Sequence, residues 1–267
     1  MHGASIARPA RTDRCVSTSL PWLTTRSAGD ARRETAMRIG ILGTGALAAA
    51  LGEGWVRAGH AVVIGGRSPA RAERLADRLG GGARAVPPRE AVVGRDAVLL
   101  AVPWDAAEDM LRLAGASDGS LAGTPLIDPT NAVAHGVGVL LTEDGEPMAR
   151  RIAGLAPGAH VVKAFHLFPA AQWTGTGAGP GTANVSLVTV AMCGDEPAAL
   201  DVVSELVRDV GGTPAVLGAL DRVRQLEEVA GFVIGLVFAG CDPGSAVPRA
   251  ASSATRPGGP GEPRAAR

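Results

Sequence analysis

The stretch "MRIGILGTGALAAALGEGWVRAGHAVVIGGR", residues 37–67, limits what the chain can fold into more than any other segment. Arg38 to Leu42 is a short, β-branched apolar run of the kind that forms a buried parallel strand. Gly43, Gly45 and Ala48 then spell GxGxxA: the first glycine permits a tight turn, the second lets backbone approach a pyrophosphate, and the small third residue lets helix and strand pack closely. Ala46 to Ala58 is rich in Ala and Leu and reads as a helix closed by Gly59, and Ala61 to Ile64 reads as a second strand. A glycine motif in a chain with 37 glycines carries little weight alone. The order strand, glycine turn, helix, strand is what makes it a dinucleotide-binding signature.

A competing reading takes Arg32 and Arg33 with the apolar run Ile39 to Leu51 as an export signal. A signal ends in a cleavage site and releases a self-sufficient domain, whereas this pattern runs straight on into the next strand. Cutting near Gly52 would leave that strand without its neighbour. Residues 1–36 mix Arg, Ser, Thr and Pro without periodicity, so they are expected to be a disordered or non-native extension before Met37.

Strands and helices alternate downstream. Pro69 to Leu79 reads as a helix with Ser68 as its cap, "AVLLAVP" (97–103) as a strand, Asp105 to Ala114 as a helix, and "TPLIDPTN" (124–131) and "HVVKAFHLF" (160–168) as further strands. The expected fold is α/β, a doubly wound parallel sheet with a small C-terminal α/β domain. Expected boundaries are 37–165 for the nucleotide-binding domain and 166–240 for the small substrate domain, with a disordered tail over 241–267. Within the small domain, "QWTGTGAGPGTAN" (172–184) reads as a long loop and Asp221 to Phe238 as a helix. The apolar half of that helix, Val229 to Phe238, fits either core or a homodimer interface.

Apolar residues make up 46% and charged residues 19%, and the net charge is zero, so no nucleic-acid partner is implied. No apolar run reaches the roughly 18 residues of a membrane span. Cys15, Cys193 and Cys241 are too dispersed for a disulfide framework, and no cluster has metal-ligand spacing, which favours a cytoplasmic protein without a metal. Lys163 is the only lysine among 26 basic residues, and the excess of Arg, Ala and Gly reads as the coding bias of a GC-rich, bacterial genome.

The nucleotide's identity follows from charge. An NAD site normally ends its second strand in an acid that takes the ribose hydroxyls, but here that place reads Gly65, Gly66, Arg67, Ser68, with no carboxylate between Glu53 and Glu73. An acid would repel a 2′-phosphate and an arginine attracts it. The expected nucleotide is NADP, with Arg67 on the phosphate and Arg71, one helical turn on, as a second cation.

"MRIGILGTGALAAALGEGWVRAGHAVVIGGRSPARAERLA", "AVLLAVPWDAA" and "VVKAFHLFPAAQW", in this order and spacing, resemble the NADPH-dependent F420 reductases over roughly residues 37–240. The resemblance implies an amino-terminal Rossmann domain, a small carboxy-terminal domain, and hydride transfer between NADP and coenzyme F420, a 5-deazaflavin held in the cleft. It further implies that Gly43, Thr44, Gly45, Ala46 and Leu47 hold the pyrophosphate and that Gly66, Arg67, Ser68 and Arg71 surround the 2′-phosphate. Ala101, Val102, Pro103 and Trp104 then lie on the nicotinamide side with Ala170. His166, Phe168 and Pro169 would contact the deazaflavin, with His166 as the catalytic candidate and Leu220 closing the pocket. Residue 66 is glycine where close members have a hydroxyl side chain, and the loop and tail also depart from the family pattern. Two alternatives stay open: an NADPH reductase of another acceptor (a flavin, an imine or a chelated metal), and a non-catalytic NADP-binding redox sensor.

Overall fold

The computed structural model describes residues 36–134, 136–142, 145–174 and 188–247. The expectations for residues 1–35, for most of the glycine-rich loop and for the tail beyond 247 lie outside these residues. Eight strands form one sheet in the order β3-β2-β1-β4-β5-β6-β7-β8. They are β1 (Arg38–Leu42), β2 (Ala61–Gly65), β3 (Arg84–Val86), β4 (Ala97–Leu100), β5 (Pro125–Asp128), β6 (His160–Lys163), β7 (Val188–Gly194) and β8 (Gly212–Val216). The first six run parallel in the doubly wound order, β7 is antiparallel to β6, and β8 is parallel to β7. The expected doubly wound parallel sheet is present in β1 to β6, and the one antiparallel junction comes where β7 joins it, Val162 facing Gly194 and Lys163 facing Cys193.

Helices α1 (Ala46–Ala58), α2 (Pro69–Leu79), α3 (Pro88–Val92), α4 (Ala107–Ala114), α5 (Met148–Leu155), α6 (Pro197–Asp209) and α7 (Val223–Phe238) cover the two faces. β1, β4 and β5, apolar apart from Arg38 and Asp128, are almost wholly buried because helices pack on both sides of them, which leaves two core layers. One layer is anchored by Trp55 on α1, whose Nε1 donates to the Leu206 carbonyl at 3.0 Å and whose ring meets Phe165 edge-on. Phe165 in turn meets Trp173, also edge-on.

Four differences from the sequence reading have local causes. The three-residue β3 and five-residue α3 arise from "RAVPPREAVV", too short and proline-broken to show a period. α5 has no counterpart in the sequence reading, because Pro147 offers no capping side chain to mark its start. β6 stops at Lys163 rather than running to 168, because Phe165 takes a left-handed φ of 61° and turns the chain. β4 stops at Leu100, and a 3-10 turn at Trp104–Ala106 precedes α4.

Candidate nucleotide site and adjoining polar cluster

Reversal of strand order at β1, with β2 on one side and β4 on the other, opens a crevice beyond their carboxyl ends, where open α/β sheets bind ligands. A cavity of about 480 Å³ lies there. Three backbone segments line it: Gly43–Gly45 after β1, Gly66–Ser68 after β2 and Ala101–Pro103 after β4, with Arg71 and Met110 completing the wall. Met110, buried on α4, has no sequence signal that separates it from core.

Gly43 is required twice over. Its φ is 130°, and a Cβ there would stand 2.0 Å from the Ala101 carbonyl oxygen. Its N–H donates to Gly65 O at 2.8 Å, while Ala101 N–H donates to Leu42 O at 2.8 Å, so the turns after β1, β2 and β4 are tied together. Gly45 occupies the N-cap of α1 without a capping side chain, no acid stands in the first turn, and a Cβ on Gly45 would meet nothing within 4 Å. Donor groups at the positive end of a 13-residue helix therefore face open space, which suits a pyrophosphate. Ala48, the third motif position, is fully buried.

Arg67 and Arg71 are exposed and, among the described residues, form no salt bridge. Ser68 stands at the N-cap of α2 with Pro69 at the first turn, but its side chain makes no capping bond. Ser68 is thus the cap residue expected, with a side chain left free to line the cavity. These residues fit a nucleotide bearing a 2′-phosphate: an open glycine turn, an uncapped helix start, a hydroxyl and two cations.

The remaining expected site residues lie around or away from this cavity. Ala46 and Leu47 belong to the first turn of α1, Leu47 packing partly on the core, and Trp104 packs on the other core layer; none of the three lines the cavity. Phe168 meets Trp173 edge-on with centroids 6.1 Å apart, Pro169 is exposed, and Ala170 opens a 3-10 turn. Leu220 lies elsewhere, in a recess with His160, Val161 and Asp195 at the amino end of β6, where its N–H donates to Asp195 at 2.7 Å.

His166 sits just beyond β6 and is 6% exposed, and among the described residues its ring makes no well-formed hydrogen bond, with the Leu226 backbone carbonyl as a polar neighbour. Burial, reinforced by the nearby Lys163 charge, pushes its pKa down to about 3, with the Leu226 carbonyl acting weakly the other way. The ring is neutral at pH 7. Its backbone carbonyl accepts from Asn131 Nδ2 at 2.6 Å, and Asn131 Oδ1 is likewise buried without a partner.

Under this pair lies a cluster the sequence reading missed. Lys163, fully buried, donates to Asp128 Oδ2 at 3.0 Å, to Glu227 Oε1 at 2.9 Å and to the Thr130 carbonyl. Asp128 also accepts from the Thr130 N–H and hydroxyl at 2.8 and 2.7 Å. Glu227 accepts from the N–H groups of Met148 and Ala149 at 2.9 and 3.2 Å, so α7 supplies the cap that α5 lacks. Burial alone would lower the Lys163 pKa, but the two carboxylates outweigh it and hold the ammonium above its ordinary value. The available signal was that this chain's single lysine lies at a strand end.

Residues 38–132 match the family model described as NADP oxidoreductase coenzyme F420-dependent. Over that stretch, β1 to β5, the chain is similar to that family. It is 32% identical over 194 residues to Metalloreductase STEAP3 of Rattus norvegicus, a match covering 73% of this chain and 36% of that protein, so the chain spans about a third of the relative's length. Among solved structures, a hypothetical protein, SMa0349 of Sinorhizobium meliloti, is 29% identical with a TM-score of 0.60, covering 71% of this chain and 88% of the other. A candidate F420-dependent NADP reductase from Arthrobacter sp. FB24 is 24% identical with a TM-score of 0.65, covering 77% and 96%. An imine reductase of Myxococcus stipitatus shares the fold at 16% identity and a TM-score of 0.54, covering 76% and 62%. Among the described residues no helix is long and apolar enough to cross a membrane, and no group of His, Cys, Asp and Glu could hold a metal ion.

Proposed function

We propose that the protein transfers hydride between NADPH and a second small, flat acceptor, coenzyme F420. The observation that carries the nucleotide half is the cavity that unites the Gly43–Gly45 turn, the Arg67 and Arg71 cations and the Ala101–Pro103 segment. NADPH supplies the hydride; the chain binds, orients and excludes water. The glycine turn and the start of α1 take the pyrophosphate, Arg67 and Arg71 the 2′-phosphate, and Ala101–Pro103 set the nicotinamide end. Direct transfer needs reacting carbons held about 3 to 3.5 Å apart more than it needs an acid or base. His166 then acts as a neutral hydrogen-bond donor to the acceptor, with its backbone held in place by Asn131. The family description over residues 38–132 and the "AFHLFPAA" segment support F420 as acceptor.

A second reading, an NADPH reductase of a chelated metal or flavin, is favoured by the likeness to a metalloreductase. Anaerobic stopped-flow with NADPH and oxidised F420 separates the two. Rapid loss of deazaflavin absorbance with NADPH, and little with NADH, supports the first reading. No loss with F420 but turnover of ferric chelate or flavin supports the second, and tight NADPH binding without turnover of any acceptor supports a redox sensor.

A further inference from the structure

Beside the nucleotide cavity lies a second recess of about 340 Å³, lined by Thr44, Arg71, Arg74, Leu75 and Arg78. Thr44 and Arg71 belong to both recesses. We propose that this recess completes the 2′-phosphate subsite, with Arg74 and Arg78 as residues that determine specificity for the phosphorylated nucleotide. The inference rests on the NADPH reading and deepens it.

α2 buries Ala72, Leu75, Ala76 and Leu79 against the sheet. Arg71, Arg74 and Arg78 stand at i, i+3 and i+7, which at 3.6 residues per turn places them along one side. The helix carboxylates, Glu73 and Asp77, fall roughly opposite. A charge run on an exposed helix is usually a solvated face with signs interspersed, but here three like charges share one side and repel. Six other arginines, Arg38, Arg57, Arg89, Arg112, Arg151 and Arg224, each pair with a carboxylate, while the unpaired ones elsewhere among the described residues do not share a recess with a glycine turn. Among the described residues, Arg67, Arg71, Arg74 and Arg78 form no such pair.

The facing wall of the recess is Thr44, within the glycine turn that receives the pyrophosphate. A Cβ on Gly66 would lie 3.0 Å from Thr44 Cγ2, so the threonine stands against the chain segment that carries Arg67. An anion seated between Thr44 and α2 therefore meets the threonine on one side and guanidinium groups on the other. A phosphate dianion has the charge and the acceptor count to engage two arginines at once, and a ribose hydroxyl has neither. Arg74 is one turn from Arg71 and can share one phosphate with it, whereas Arg78 lies about 10 Å along the axis from Arg71 and acts mainly through its field.

Titration of the full chain with NADPH, NADH, adenosine 2′,5′-bisphosphate and ADP, in Arg74→Gln, Arg78→Gln and the double variant, tests this. The expected result is roughly tenfold weaker NADPH and bisphosphate binding for Arg74→Gln and about threefold for Arg78→Gln, with NADH and ADP unchanged and a shallower salt dependence in the double variant. Arg74→Lys recovers part of the loss. All three substitutions are at exposed positions, and circular dichroism verifies that the fold persists. Unchanged NADPH affinity in the double variant, while Arg67→Asp still loses it, overturns the subsite and leaves the NADPH reading standing. Equal loss for NADH and NADPH overturns the specificity role. Absence of NADPH and bisphosphate binding in the unsubstituted protein overturns both readings together.

Discussion

The glycine turn with its arginines and the Lys163 cluster both lie at carboxyl ends of strands, yet they handle charge in opposite ways. Around Gly43–Gly45, donors and cations stand open to solvent, with no carboxylate among the described residues paired to Arg67 or Arg71. Around Lys163, every charge is buried and answered by another from a distant part of the chain: Asp128, 35 residues away, and Glu227, 64 residues away. An open site of one sign awaits a ligand of the other. A closed site of mixed sign holds elements together, here β5, β6, α5 and α7, and leaves Asn131 and His166 seated above it.

The contrast is broken most severely at Lys163. Lys163→Met leaves two carboxylates buried without their cation, which is expected to cost about 3 to 5 kcal/mol in chemical denaturation. A loss below about 1 kcal/mol would mean that water or protonation readily replaces the lysine. Next in size, Arg67→Asp is expected to weaken NADPH binding roughly a hundredfold, from the loss of a charge-assisted bond and the added repulsion, with NADH little affected. Equal weakening of the two nucleotides would refute the assignment of the phosphate to this end of β2.

His166 sharpens the comparison through pH. Its folded pKa, about 3, lies below the ordinary value of about 6.5, so between these values the unfolded chain holds a proton that the folded chain does not. The stability from this neutral burial is fully present above about pH 6.5 and is lost as pH falls toward 3. Unfolding free energies from pH 7 down to 4 should therefore fall less steeply in His166→Leu than in the unsubstituted protein. Equal slopes would place the titrating group elsewhere. The smallest effect is expected at Gly66→Ser: the hydroxyl adds one neutral hydrogen bond to the phosphate, but its Cβ approaches Thr44 Cγ2 to 3.0 Å, so NADPH should bind only a few-fold tighter. Weaker binding would show that Thr44 cannot yield.

Much of the nucleotide half was legible because its information is local. The strand, glycine turn and helix occupy consecutive residues, and α1 and α2 span Ala46–Ala58 and Pro69–Leu79, as their helix-forming composition and end signals imply. The cations at Arg67 and Arg71 follow from what is missing at the end of β2. Arg74 and Arg78 were visible as letters, yet the wall they share with Thr44 depends on how α2 packs beside the glycine turn.

The sequence by itself determined the backbone periodicity, the turn at Gly43 and the sign of the charge offered to the nucleotide, because each depends on neighbours a few residues apart. Only the tertiary structure decided the antiparallel turn of β7 against β6, the depth and neutrality of His166, the separate location of Leu220, and the use of the chain's single lysine. Those depend on desolvation and on pairings between residues tens of positions apart, such as Glu227 with the amide of Met148, which no local pattern encodes.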